Sequence, residues 1–138
     1  MPAGGLARRA RHPLALAVLS VFSAPVVAGT DCVPGYWDNG GICTAASLGH
    51  YVAGFGATAQ VPASIGYYVG ITGATAQSPS LLGHYVDVTA ATAPVPCLPG
   101  RYASTTAATV CAIAQIGYFA AGPAATGQTP APPGFYVA

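Results

Sequence analysis

Neither lysine nor glutamate occurs anywhere in this chain of 138 residues, and charged side chains make up only 5% of it. An ordinary soluble domain carries roughly a quarter charged residues, so either the chain sits in a membrane or its surface is solvated by backbone, hydroxyl and amide groups. Long apolar runs are missing too. A membrane span needs about 18 consecutive apolar residues, and the best candidate, residues 13–28, is broken by Ser20, Ser23 and Pro25. Basic residues are confined to Arg8, Arg9 and Arg11 near the start and Arg101 far downstream. Without a basic stripe to neutralise phosphates, nucleic-acid binding is disfavoured. The carboxylates and imidazoles beyond residue 28 are Asp31, Asp38, Asp87, His50 and His84, each isolated in sequence. That inventory offers no evident acid-base pair and points away from an enzyme.

The N-terminus carries an organised signal. Its three arginines, the apolar run "PLALAVLSVF" and the small residues Val26, Val27 and Ala28 have the layout of a secretory signal peptide over residues 1–28. The mature chain is then expected to begin near Gly29, with one Arg against three Asp, a formal charge of −2, and no membrane span. Its expected location is secreted, periplasmic or at the cell surface.

What fills the mature chain is a repeat. From Gly49 it reads "GHYVAGFGATAQVPASI", "GYYVGITGATAQSPSLL", "GHYVDVTAATAPVPCLP", "GRYASTTAATVCAIAQI" and "GYFAAGPAATGQTPAPP", then the stub "GFYVA". These are residues 49–65, 66–82, 83–99, 100–116, 117–133 and 134–138, after a shorter, divergent first unit over 29–48. Glycine recurs at Gly35, Gly49, Gly66, Gly83, Gly100, Gly117 and Gly134, each expected to make a turn. An aromatic follows at Tyr36 and Trp37, Tyr51, Tyr68, Tyr85, Tyr102, Phe119 and Tyr136, the expected repeat core. An Ala-Thr pair recurs with threonine at 58, 75, 92, 109 and 126.

Aromatic and β-branched residues after each glycine favour short strands, and a proline in nearly every repeat excludes long helices. The expected fold is therefore a mainly β, partly irregular repeat protein, with short strands and turns and little helix after the signal peptide. Two architectures give a unit this small a core: an extended array of loop-rich modules, or a β-solenoid with stacked coils.

The four cysteines obey the repeat. Cys43 and Cys111 share a column, and Cys32 and Cys97 each stand two residues before Pro-Gly. Cysteine-free repeats replace both members together, with Ala46 and Gln60, Ala63 and Gln77, Ser80 and Pro94, or Ala114 and Gln128. Partners in one bridge must vary together, which selects Cys32 with Cys43 and Cys97 with Cys111. Zinc sites favour Cys-x2-4-Cys spacings, so no metal or other cofactor is expected.

"CVPGYWDNGGIC" and "CLPGRYASTTAATVC" resemble the ephrin type A/B receptor-like cysteine-rich repeat. Cys97, Gly100, Tyr102 and Cys111 match that pattern, as do Cys32, Gly35, Tyr36 with Trp37, and Cys43. The resemblance implies a secreted or cell-surface array in which the cysteine-free units over 46–96 are degenerate copies, like the alanine- and threonine-rich arrays of large bacterial surface proteins. Partners would be a protein or glycan at the cell surface, or further copies of the chain. The function expected is non-enzymatic: a structural or adhesion-type passenger or ectodomain fragment. The alternative is a solenoid whose regular Thr or Tyr face recognises glycan or ice. His50 and His84 share a column with Tyr67, Arg101, Tyr118 and Phe135, a mixture expected of an exposed, variable position rather than a metal site.

Overall fold

The computed structural model describes residues 31–135; the expected signal peptide over 1–28 and Tyr136 lie outside them. Among the described residues there is no helix, and the strands pair as six two-stranded antiparallel hairpins. β1 (Tyr36–Asp38) pairs with β2 (Cys43–Ala45), β3 (His50–Tyr51) with β4 (Val61–Pro62), and β5 (Tyr67–Tyr68) with β6 (Ser78–Pro79). β7 (His84–Tyr85) pairs with β8 (Val95–Pro96), β9 (Arg101–Tyr102) with β10 (Ala112–Ile113), and β11 (Tyr118–Phe119) with β12 (Thr129–Pro130).

The turn between hairpins follows from local sequence. Tyr67 N–H donates to the Ser64 carbonyl at 2.9 Å while Gly66 holds φ at +86°. Positive φ at the third residue is the mark of a type II turn, which also favours proline at the second. Pro34-Gly35 and Pro99-Gly100 supply both features.

Of the two architectures the sequence allows, the chain forms the array; the hairpins do not merge into a solenoid. Proline explains part of this. β4, β6, β8 and β12 each end on one, which has no N–H to offer a further strand.

Successive units are instead joined by main-chain bonds from turns and loops. Gly49 N–H donates to Val69 O, Val52 N–H to Ala74 O, and Gly73 N–H returns to Ala46 O, at 2.8–2.9 Å. The same trio recurs as Gly66 to Val86, Val69 to Ala91 and Ala90 to Ala63, then as Gly83 to Ala103, Val86 to Ala108 and Ala107 to Ser80. It is present at both ends too, with Gly35, Asp38 and Gly56 donating to Val52, Ala57 and Cys32, and Gly100, Ala103 and Ala124 to Ala120, Ala125 and Cys97. The alanine of each Ala-Thr pair is thus a junction acceptor.

One column strains the backbone. Gly56 and Gly73 take φ of +64° and +68°, and the residues in register with them, Ala90, Ala107 and Ala124, take +55° to +56°. An L-residue pays roughly 1–2 kcal/mol for that left-handed conformation, whereas glycine does not. Ala107→Gly is therefore expected to stabilise the protein by about 0.5–1 kcal/mol after the extra chain entropy of glycine is counted. A thermal melt checks this, and an unchanged or lowered Tm would contradict it.

The core corrects one expectation. The aromatic column is not the buried centre: Tyr51, Tyr68, Tyr85, Tyr102, Phe119 and Trp37 are half-buried, and Tyr36 is exposed. Buried instead are the residues after the aromatics from Tyr51 onward, Val52, Val69, Val86, Ala103 and Ala120, and the column of Cys32, Ala46, Ala63, Ser80 and Cys97, with Ala74 and Cys111 beside them. The aromatic seals the neighbouring unit. Tyr51 packs on Ala63, Val69 and Ala74, and Tyr85 on Cys97, Ala103 and Cys111.

Candidate functional site

Two columns close the repeat, and in all but one case they are filled in one of two chemically different ways. Cys32 bonds Cys43 across the hairpin of β1 and β2, with Cα atoms 5.5 Å apart, and Cys97 bonds Cys111 across that of β9 and β10, at 5.7 Å. No free cysteine remains. Disulfides are the bonds of oxidising compartments outside the cytosol, so the pairs speak for an extracytoplasmic location. Among the described residues no helix is long and apolar enough to cross a membrane.

In three of the cysteine-free units the closing column is glutamine, and it makes a polar clip. Gln60 Oε1 accepts from Ser47 N–H, Gln77 Oε1 from Ser64 N–H and Gln128 Oε1 from Gln115 N–H, each at 2.7 Å. Each donor stands one residue past the position where the stapled units place the opening cysteine. In the sequence these glutamines are only what replaces cysteine; the signal of a role is their return at that column in three of four cysteine-free pairs. Around the β7–β8 hairpin the two columns hold Ser80 and Pro94, and Ser80 Oγ, fully buried, donates to Ala108 O of the stapled neighbour at 3.3 Å.

Gln77→Ala is expected to cost about 1 kcal/mol, the net worth of one neutral hydrogen bond. It should also speed exchange of the Ser64 amide. Unchanged protection of that amide would remove the clip from the account.

The glycines expected to make turns do so, and several also allow close backbone approach two units along the array. A Cβ on Gly66 would lie 2.5 Å from Ala107 O, and Gly35, Gly49 and Gly83 face the carbonyls of Gly73, Ala90 and Ala124 in the same way. Among the described residues a Cβ on Gly100, with φ +82°, would meet nothing within 4 Å, nor would one on Gly117 or Gly134.

The remaining candidates lie on the outer surface. His50 and His84 place Nδ1 3.1 Å from the carbonyls of Leu48 and Leu82, two residues back, so each imidazole braces its own turn. All five threonines of the Ala-Thr column are exposed. A cleft of ≈ 300 Å³ lies between the fourth and fifth units, lined in part by Tyr85, Asp87, Arg101 and Thr109. There Arg101 Nη1 also donates to Cys111 O at 3.4 Å. The chain matches no protein-family model and no curated protein sequence.

Proposed function

We propose that this chain is a non-enzymatic repeat segment, secreted or displayed at the cell surface, that spaces or presents other elements in the manner of ephrin-receptor-like cysteine-rich arrays. The observation that carries the reading is the junction trio, which recurs unchanged between stapled and unstapled units. A unit that bonds to its neighbours through main-chain groups can be repeated without redesign, so length is set by copy number. The two disulfides support an extracytoplasmic setting. In this reading the partners are a protein or glycan at the cell surface, or further copies of the chain.

A second reading, recognition of a glycan, is favoured by the cleft that joins the Tyr85 ring to Asp87 and Arg101. These are the aromatic and hydrogen-bonding groups that small polar ligands require.

Two measurements test the spacer reading. An antibody to residues 66–96 should label intact, unpermeabilised cells or detect the chain in the medium; staining only after permeabilisation would sink it. Duplicating residues 66–82 should leave the protein folded and lengthen it in small-angle scattering. An unchanged maximum dimension, or loss of structure, would show that copy number does not set length.

A further inference from the structure

The threonine of the Ala-Thr column has no structural employment, yet it is present in all five full repeats. Thr58, Thr75, Thr92, Thr109 and Thr126 are all exposed. The side-chain hydroxyls that do bond within the described residues are those of Thr44 and Ser80. If the column needed only β-branching, valine would serve as well, and it never appears there.

The backbone beside each threonine is held firmly. The preceding residue, Ala57, Ala74, Ala91, Ala108 or Ala125, accepts the junction bond from the unit before. The following residue is Ala59, Ala76, Ala93, Val110 or Gly127, small in four of five cases and exposed in all. Every hydroxyl is therefore presented at the same place in a rigid unit, with little bulk around it.

The surface itself gives a second reason to look for a use. Only Asp31, Asp38, Asp87 and Arg101 carry formal charge among the described residues. Phe55, Ile71, Leu98, Ile113 and Ile116 are all at least 66% exposed. Soluble surfaces normally hold roughly 25–35% charged residues, and one this apolar invites association unless something else solvates it.

From these observations we infer that Thr58, Thr75, Thr92, Thr109 and Thr126 are acceptors for O-linked sugar, added by a separate glycosyltransferase from an activated glycosyl phosphate. Thr Oγ1 attacks the anomeric carbon, forming the new C–O bond. The bond from that carbon to the phosphate oxygen breaks, the phosphate leaves with the electron pair, and the hydroxyl proton passes to the transferase base or the leaving phosphate. One sugar per unit would supply the hydration that charged side chains supply elsewhere. Thr72, Thr89 and Thr106 are exposed as well, but their column holds Phe55 and Pro123 in the other repeats and does not require a hydroxyl.

The test is peptide mapping, by electron-transfer fragmentation, of the protein isolated from the cells that produce it. Peptides containing the five threonines should carry whole-sugar mass increments that alkaline β-elimination removes, leaving the dehydrated residue. An unmodified mass, or sugar confined to Thr72, Thr89, Thr106 or other positions, overturns the inference. A variant with all five changed to valine should keep its β spectrum and both disulfides while losing the increments; if the increments persist, the assignment is wrong. The spacer reading stands or fails separately, because it is read from cell labelling and length rather than from mass.

Discussion

Gly66→Ala is expected to destroy cooperative folding, whereas Gly100→Ala, on the same column and at nearly the same φ, should leave a folded protein. Both substitutions put an L-residue into left-handed backbone, at +86° and +82°, which costs roughly 1–2 kcal/mol. At Gly100 that is the expected effect, because an added Cβ meets no atom of the described residues within 4 Å. At Gly66 the new methyl would stand 2.5 Å from Ala107 O and 3.2 Å from Ala107 C. Backbone cannot swing aside as a side chain can.

Moving Ala107 would pull its N–H from Ser80 O and disturb the adjoining bond from Val86 N–H to Ala108 O. With the strain of overpacking at about 1–3 kcal/mol and these bonds weakened, the loss should exceed about 4 kcal/mol. Thermal or urea denaturation followed by circular dichroism measures both variants. Equal midpoints for the two would mean that the approach between unit and second neighbour has no energetic weight.

The converse experiment adds a staple. Ala63→Cys with Gln77→Cys should form a third disulfide under oxidising conditions, because these residues occupy the columns of Cys97 and Cys111. Ala63 is as fully buried as Cys97 and its unit folds the same way. Closing a loop of this size adds about 3 kcal/mol in the chain-entropy model, against about 1 kcal/mol for the lost glutamine clip. The oxidised variant should therefore melt above the parent by roughly 2 kcal/mol of stability. Under reduction its third bridge opens and its melt should fall below that of the parent treated identically, which still has the clip. Thiol titration of the unfolded, non-reduced variant should find none free; two free thiols would show that the glutamine unit does not share the stapled geometry.

Local sequence information suffices at the turns between hairpins. A type II turn requires positive φ at one residue, and Pro99-Gly100 states this within two positions. The cysteine columns were legible for a related reason, since a bridge leaves its mark on two positions at once. The role of glutamine was not, because Gln77 meets the Ser64 amide across 13 residues and a lone amide on a loop has many possible partners.

From sequence the aromatic column is expected in the core, because the repeat has little else to bury. Packing decided otherwise. Units approach so closely that glycine faces a carbonyl two units away, and the space inside admits Val52, Val69 and Ala103 but leaves a tyrosine ring at the edge, against its neighbour.

By itself, the sequence determined the period, the absence of long helices, the turn at each glycine and the two columns on which the cysteines stand. All of these depend on φ preferences and on residues close together in the chain. Tertiary structure alone decided that the units form an array of separate hairpins, that small residues rather than aromatics fill the core, and that glutamine closes three of the four hairpins lacking cysteine. Those outcomes depend on how near one unit's backbone comes to the next, a distance that no single repeat specifies.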